Sequence, residues 1–243
     1  MKKTALITGA SRGIGKAIAT ELAKNGYHLA LFCHNNIELL NELADALRCQ
    51  YKVEVYTYCG DISDYGFSIP ACEDALDKLG QIDVLINNAG IAHIGLLTDM
   101  DIHEWDNIIG TNLSSVFYTT KAVVPSMVSR KSGDVINISS MWGTVGASCE
   151  VAYSASKGGV NSFTKALAKE LAPNGIAVNA ITCGVVDTDM NGQLSSEEKA
   201  ELAEEIPIGR FCDPSEIAQT VISIINSPAY MTGQIIGVDG GYI

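Results

Sequence analysis

Short apolar runs alternate with longer stretches of helical periodicity along the whole chain. Residues 3 to 8, Lys-Thr-Ala-Leu-Ile-Thr, are apolar without alternation and too few for a helix, so they read as a buried strand. Comparable runs recur at 28–33, 53–58, 82–86, 134–140, 176–182 and 234–239. Between them, apolar positions spaced three to four apart predict helices over 16–26, 37–48, 66–79, 101–129, 152–172 and 195–206, and another opening at Asp213-Pro214. Helix 152–172 is expected to bury a stripe of Val160, Phe163, Leu167 and Leu171 and to stop at Ala172-Pro173-Asn174-Gly175. Fully apolar strands alternating with helices predict an α/β fold: a single doubly wound domain over 1–243, with a seven-stranded parallel sheet and helices on both faces. No linker, internal repeat or low-complexity stretch interrupts it.

Composition narrows the partners. A formal net charge of −12 argues against a nucleic-acid surface, which needs clustered Lys and Arg. Seven cysteines (33, 49, 59, 72, 149, 183 and 212) show neither CxxC nor Cys/His ligand spacing. They predict no metal site and read as small hydrophobes in a reducing compartment. The opening MKKTALITGAS is too short an apolar run for a signal peptide, and no run approaches the roughly 18 apolar residues of a membrane span. A cytoplasmic protein without membrane partners is the expectation.

Chemistry concentrates at the ends of the predicted strands. After the first comes Gly9-Ala-Ser-Arg-Gly13-Ile-Gly15 and then a helix. Strand, glycine turn and helix open a Rossmann-type dinucleotide-binding unit, in which backbone approaches a pyrophosphate at a helix amino terminus. NAD-specific sites place a carboxylate at the end of the second strand. Here Cys33-His34-Asn35-Asn36 follows instead, while Arg12 and His34 are available to a 2′-phosphate, so NADP(H) is the expected cofactor. The alternative is that Arg12 is a solvated loop residue. Asn87-Asn88-Ala89-Gly90 ends the fourth strand at the edge where ligands bind. Tyr153 and Lys157 lie four apart and share a helix face if 152–172 is helical. A nearby ammonium favours phenolate, and lowering the phenol by about three pH units would require about 4 kcal/mol. Ser140, ending the strand before them, is placed to polarise a carbonyl. Periodicity alone does not single out Asn112, since an Asn within a helix is usually solvated.

Together these residues resemble a short-chain dehydrogenase/reductase over essentially the full length. The carriers are Thr8-Gly-Ala-Ser-Arg-Gly-Ile-Gly15, Asn87-Asn-Ala-Gly90, Thr111-Asn-Leu113, Ser139-Ser140, Tyr153-x-x-x-Lys157 and the closing Val-Asp-Gly-Gly241. The resemblance implies reduction of carbonyls, or oxidation of alcohols, by a homotetramer using a nicotinamide cofactor. It implies Tyr153 as general acid, and Lys157 lowering the tyrosine pKa and holding the nicotinamide ribose. Ser140 would steady the substrate oxygen, and Asn112 would support a water relay to Lys157. For the cofactor it implies Gly9, Ser11, Arg12, Gly13, Ile14 and Gly15 at the phosphates, with His34 beside them. Asp61 and Ile62 would flank the adenine, Asn87, Ala89 and Gly90 the central portion, and Val186 and Thr188 the carboxamide end. Tyr153 and Lys157 complete the nicotinamide side. Cys183-Gly184 departs from the family's usual Pro-Gly, which predicts a looser loop and a thiol near the cofactor, with activity retained and either weaker cofactor binding or oxidant sensitivity. The fold also serves non-catalytic NADP sensors, which typically lose the tyrosine or lysine present here.

Within the family the chain resembles bacterial 3-oxoacyl-[acyl-carrier-protein] reductases of fatty acid biosynthesis, through Thr111-Asn-Leu-Ser-Ser-Val-Phe117 and Ala203 to Arg210. That implies a small-molecule or carrier-linked carbonyl substrate. Arg130 and Lys131 are the only basic candidates for an acidic carrier, and Asn174 stands where arginine is common. The segment from Ile138 to Tyr153 also resembles reductases of a 5-aminopentanone group on elongation factor P. Glu150 suits an amine-bearing substrate there, or else is a solvated loop residue.

Overall fold

Each apolar run becomes a strand, and all pairings are parallel. β1 (Thr4–Ile7), β2 (His28–Cys33), β3 (Val55–Cys59), β4 (Val84–Asn87), β5 (Gly133–Ser140), β6 (Ile176–Cys183) and β7 (Ile235–Val238) form one sheet in the order β3-β2-β1-β4-β5-β6-β7. The computed structural model describes residues 3–192 and 194–243, so Met1, Lys2 and Gln193 of the expected 1–243 domain lie outside it. The helices are α1 (Gly13–Lys24), α2 (Ile37–Tyr51), α3 (Tyr65–Leu79), α4 (Ile102–Ile109), α5 (Ser115–Arg130), α6 (Trp142–Val145), α7 (Val151–Leu171), α8 (Ser196–Glu205) and α9 (Pro214–Ile225).

The strand pleat sorts the core into two halves. Ala5, Ile7, Leu29, Leu31, Val84 and Ile86 face α1, α2 and α9, while Leu6, Ala30, Phe32, Leu85 and Val135 face the layer containing α3, α5 and α7. This is why the strands carry no polar alternation: both faces are covered. Order reverses between β1 and β4, and the crevice at their carboxyl ends is the ligand site of such sheets.

Three local expectations change. The helix predicted over 101–129 is interrupted by a π-turn at Gly110–Ser114, whose wider turn is the kind that recurs at functional sites. The buried stripe of α7 keeps Val160 and Leu171, with Leu167 partly buried against the core and Phe163 partly buried, and it also takes in Ser156, Lys157, Thr164 and Ala168. Polar side chains are buried there because the sheet supplies their partners. The short α6, directly after β5, is not foreseen by periodicity at all.

At the amino-terminal edge of the sheet, Asp83 accepts from Thr4 N at 2.9 Å and from Arg130 Nη1 at 2.9 Å. Neighbouring Asp134 lacks such support. Its pKa is pushed up to about 6, by burial first and the Asp83 carboxylate second, with Lys3 pulling the other way. A carboxyl raised in the folded state favours folding at low pH; the ionised form penalises the fold fully above about pH 6 and not at all below the unfolded value of 3.8. Asp134→Asn should therefore stabilise the protein at pH 8 by at most about 3 kcal/mol, at about 1.4 kcal/mol per pH unit. Urea unfolding should show that gain holding above about pH 6 and shrinking steadily from there toward about pH 4; a gain independent of pH would place the cause elsewhere.

Candidate active site

The cofactor end is built around glycines. Gly9 and Gly13 have φ of +65° and +53°, and α1 begins at Gly13 without a capping side chain, leaving its amide hydrogens directed at the crevice. A Cβ on Gly15 would lie 2.2 Å from the Gly9 carbonyl, so only glycine lets the helix pack on its own turn. The open helix terminus and a cradle that side chains would fill fit a pyrophosphate. Asn88 braces this turn, its Nδ2 donating to Thr8 O at 2.9 Å and Gly9 O at 3.0 Å. Thr8 Oγ1 accepts the amides of Asn88 and Ala89. Neither Thr8 nor Asn88 is among the expected site residues, although both stand inside the motifs that mark the site. Ile14 and Ala89 pack on the two cores beneath.

At the adenosine end, exposed His34 follows β2. Asp61 accepts from Ser63 N and Oγ at 2.8 and 2.7 Å. Burial pushes the Asp61 carboxyl up most, but the Ser63 hydrogen bonds and His34 together hold it below its ordinary value. Ile62 is buried beside it. Ser11 is partly buried in the glycine turn, and Arg12 reaches across the crevice to Asp189 at 3.4 Å, both side chains largely exposed. Val186 bridges to Cys212, and Thr188 lies against Gly13, where a Cβ would be 3.2 Å from its methyl group. The segment after β6 thus crosses directly over the glycine turn.

The catalytic end lies where β5 meets α7. As the i,i+4 spacing requires, Tyr153 and Lys157 share a face of α7, with Lys157 Nζ 5.7 Å from the tyrosine ring centroid. Lys157 is 4% exposed and donates to Ile138 O at 2.9 Å. Burial pushes its pKa down to about 8, with the Cys183 thiol acting the other way. The expected lowering of the phenol by Lys157 is not what these side chains produce. Burial raises Tyr153 above its ordinary value, its hydrogen bond with Ser140 lowers it, and Cys183 and Glu150 raise it again. One of the three ammonium hydrogens is taken by the Ile138 carbonyl.

Asn112 enters the site because the π-turn aims it inward. It is 1% exposed; Nδ2 donates to Ile91 O and Ser156 Oγ at 2.9 and 3.1 Å, and Oδ1 accepts from Ile91 N at 2.8 Å. A Cβ on Gly90 would lie 3.3 Å from Lys157 Nζ and 3.4 Å from Asn112 Oδ1, so Gly90 opens the space these two share.

Asn87 ends β4 at the carboxyl edge of the sheet. Its amide is buried, donating to Asn137 Oδ1 at 2.9 Å and accepting from Thr119 Oγ1 at 2.6 Å, so its side chain braces the core below the crevice. Cys183 is not in a loose loop: it ends β6 in register with Ser140 and Val238, and burial pushes its thiol up to about 12. Such a thiol is a poor nucleophile, which opposes the expected oxidant sensitivity. Arg130 and Lys131 sit where α5 turns into β5, at the opposite end of that strand from Ser140. Within one chain they do not border the crevice.

Glycine cradle, Tyr-x-x-x-Lys on a helix and a serine at the neighbouring strand end define a nucleotide-dependent oxidoreductase site. The sequence model of the family described as short chain dehydrogenase matches residues 3–199, and the chain belongs to that family. It is 44% identical over 248 aligned positions to the uncharacterized oxidoreductase YmfI of Bacillus subtilis (strain 168), covering 100% of this chain and 99% of that protein. The 3-oxoacyl-[acyl-carrier-protein] reductase FabG of Staphylococcus aureus (strain Mu50 / ATCC 700699) is 39% identical over 242 positions, covering 99% of this chain and 98% of the relative. A crystal structure of an actinorhodin polyketide ketoreductase variant with NADPH superposes with a TM-score of 0.93 at 35% identity, covering 99% and 97% of the two chains.

The buried ammonium gives a test of this geometry. Because the folded pKa of Lys157 lies below its unfolded value, holding it charged penalises the fold fully below about pH 8, and the penalty fades to nothing above 10.5. Lys157→Met should abolish turnover yet stabilise the protein at pH 6.5. The shift supplies up to about 3 kcal/mol, and the lost hydrogen bond to Ile138 removes about 1 kcal/mol of that. Thermal unfolding at pH 6.5 and pH 10 checks the sign: a variant less stable at both would contradict it.

Proposed function

We propose that this oxidoreductase uses NADPH to reduce a ketone to a secondary alcohol. The observation that carries the reading is Tyr153 beside a buried Lys157 on one face of α7, with Ser140 at the neighbouring end of β5. Gly9, Ser11, Arg12, Gly13, Ile14 and Gly15 would hold the phosphates. His34 and Arg12, with no carboxylate after β2, support NADP(H) over NAD(H), as does the NADPH in the similar ketoreductase structure. NADPH supplies the hydride when bound. Ser140 donates a hydrogen bond to the carbonyl oxygen, and Tyr153, held as neutral phenol by its surroundings, gives that oxygen its proton. The transfer runs downhill, since the alkoxide is a stronger base than the phenolate left behind. Lys157 and Asn112, converging beside Gly90, replace the proton from solvent and hold the ribose. Fixed donors aimed at a developing oxyanion are the main source of acceleration in such sites.

As acceptor we propose a 3-oxoacyl thioester, 3-oxoacyl-[acyl-carrier-protein], on the strength of the activity that the FabG relatives are named for. A homotetramer in the cytoplasm belongs to the same reading, and seven free thiols support the reducing compartment. A second reading is favoured by Glu150: an amine-bearing ketone, such as the 5-aminopentanone group on elongation factor P. Its half-buried carboxylate is raised by burial, with a hydrogen bond from the Trp142 side chain acting the other way, lies close enough to raise Tyr153, and has no cationic partner among the described residues. An ammonium would satisfy it.

Tyr153→Phe should keep NADPH binding within about twofold and lower kcat by about 10³-fold or more, as loss of a positioned acid does. Near-normal turnover would end the proposal. With acetoacetyl-coenzyme A and an aminoketone as competing acceptors, Glu150→Gln separates the two substrate classes. A rise in KM of about tenfold confined to the aminoketone, the scale of one lost charge pair, selects the second reading. Rapid thioester turnover unaffected by the substitution selects the first.

A further inference from the structure

The last five residues leave β7 and fold back at once. Gly241 N–H donates to the Asp239 carboxylate at 2.9 Å, and Tyr242 N–H to the Asp239 carbonyl at 3.2 Å. Gly240 and Gly241 make this turn with φ of +66° and +83°, a region that strains any side chain. The turn seats on the residues that follow α8: a Cβ on Gly240 would come within 2.8 Å of Ile208 and 3.0 Å of Ile206. From that seat Tyr242 joins two elements. Its hydroxyl donates to Glu205 Oε2 at 2.8 Å, and its ring meets Trp142 edge to face with centroids 6.0 Å apart.

Both elements need such a tie. α8 buries none of its residues fully: Lys199, Leu202 and Ala203 are partly covered on the face that leads to Ile206, so packing holds it only lightly. Only Ile206, just beyond it, is buried, and the junction rests over a cavity of about 340 Å³. The segment that leads to α8 begins over the glycine turn at Thr188, and α8 ends beside Tyr242 and Trp142. Trp142 in turn donates its backbone N–H to Ser140 Oγ at 3.2 Å. Contacts run unbroken from α8 through Glu205, Tyr242 and Trp142 to the hydroxyl that meets the substrate oxygen.

We propose that Tyr242 is a positioning residue: the C-terminal tail ties the end of α8 to Trp142 and holds Trp142 beside Ser140, so the latch sets how tightly the ketone is held. This rests on the reading of the Tyr153 site as ketone-reducing. Neither element touched by Tyr242 belongs to the glycine cradle, so acceptor binding responds and cofactor binding does not.

The test uses the full chain and acetoacetyl-coenzyme A as acceptor. Tyr242→Phe keeps the ring and loses the tie to Glu205; it should raise the ketone KM about 3- to 10-fold, the scale of one partly exposed hydrogen bond to a charged group. Its kcat and NADPH Kd should stay within about twofold. Glu205→Gln retains an acceptor and should keep the parental KM. An activity-independent arm uses Trp105→Phe, which leaves Trp142 as the only tryptophan. Adding Tyr242→Ala to that background should shift Trp142 emission to the red and increase its quenching by acrylamide. Unchanged KM in Tyr242→Phe together with unchanged emission in Tyr242→Ala overturns the latch. So does a loss in which KM, kcat, NADPH Kd and melting temperature all move together, because that marks a merely structural residue. If the parent reduces no ketone, the functional reading fails while the fluorescence arm still decides the latch.

Discussion

A buried ammonium organises the catalytic end of this protein. Desolvating Lys157 is costly, and the structure offsets that cost with the carbonyl of Ile138 and by fitting backbone tightly around the residue. Ser139 Oγ donates to the Lys157 carbonyl at 3.2 Å, joining β5 to α7. Gly143 lies so close that a Cβ would stand 2.6 Å from the Lys157 carbonyl carbon, and Gly90 leaves room for the Nζ. Strand, helix and two glycine approaches are therefore fixed relative to one charge. Tyr153 and Ser140 inherit their positions from that arrangement.

The same logic of satisfied polar groups runs beneath the crevice. Asn87, Asn137, Thr119 and Thr164 form a chain of side-chain hydrogen bonds that crosses from β4 through β5 to the helices. Buried amides of this kind are stable only when fully paired, and once paired they hold the strand ends rigid. A rigid floor lets the glycine turn above it approach a phosphate closely. Asn88 ties the two levels together by binding the carbonyls of Thr8 and Gly9.

Electrostatics then distinguishes the mouth from the floor. The mouth holds a half-buried carboxylate, Glu150, whereas Arg130 and Lys131 lie at the far end of β5 and are linked to the amino-terminal edge of the sheet through Asp83 and Gly175. Within one chain the acceptor end is thus acidic. That is why Glu150 is the residue at which the two proposed acceptor classes are told apart.

Much of this was legible in the sequence because it depends on local rules. Apolar runs without alternation gave seven strands and the doubly wound class, since a parallel sheet covered on both faces has no polar face to encode. Glycine spacing marked the phosphate turn, because only glycine allows those backbone angles and approaches, and i,i+4 spacing put Tyr153 and Lys157 on one helical face. What depends on distant partners was not legible. Asn112 points inward only because a π-turn resets the helix phase, and Asn87 turns into the core because Asn137 and Thr119 wait there. Arg12 faces Asp189, 177 positions away, and Tyr242 finds Glu205 and Trp142 only once β7 has joined the sheet. Backbone geometry and periodicity are written residue by residue; the pairing of polar side chains is decided by which elements the fold brings within hydrogen-bond reach.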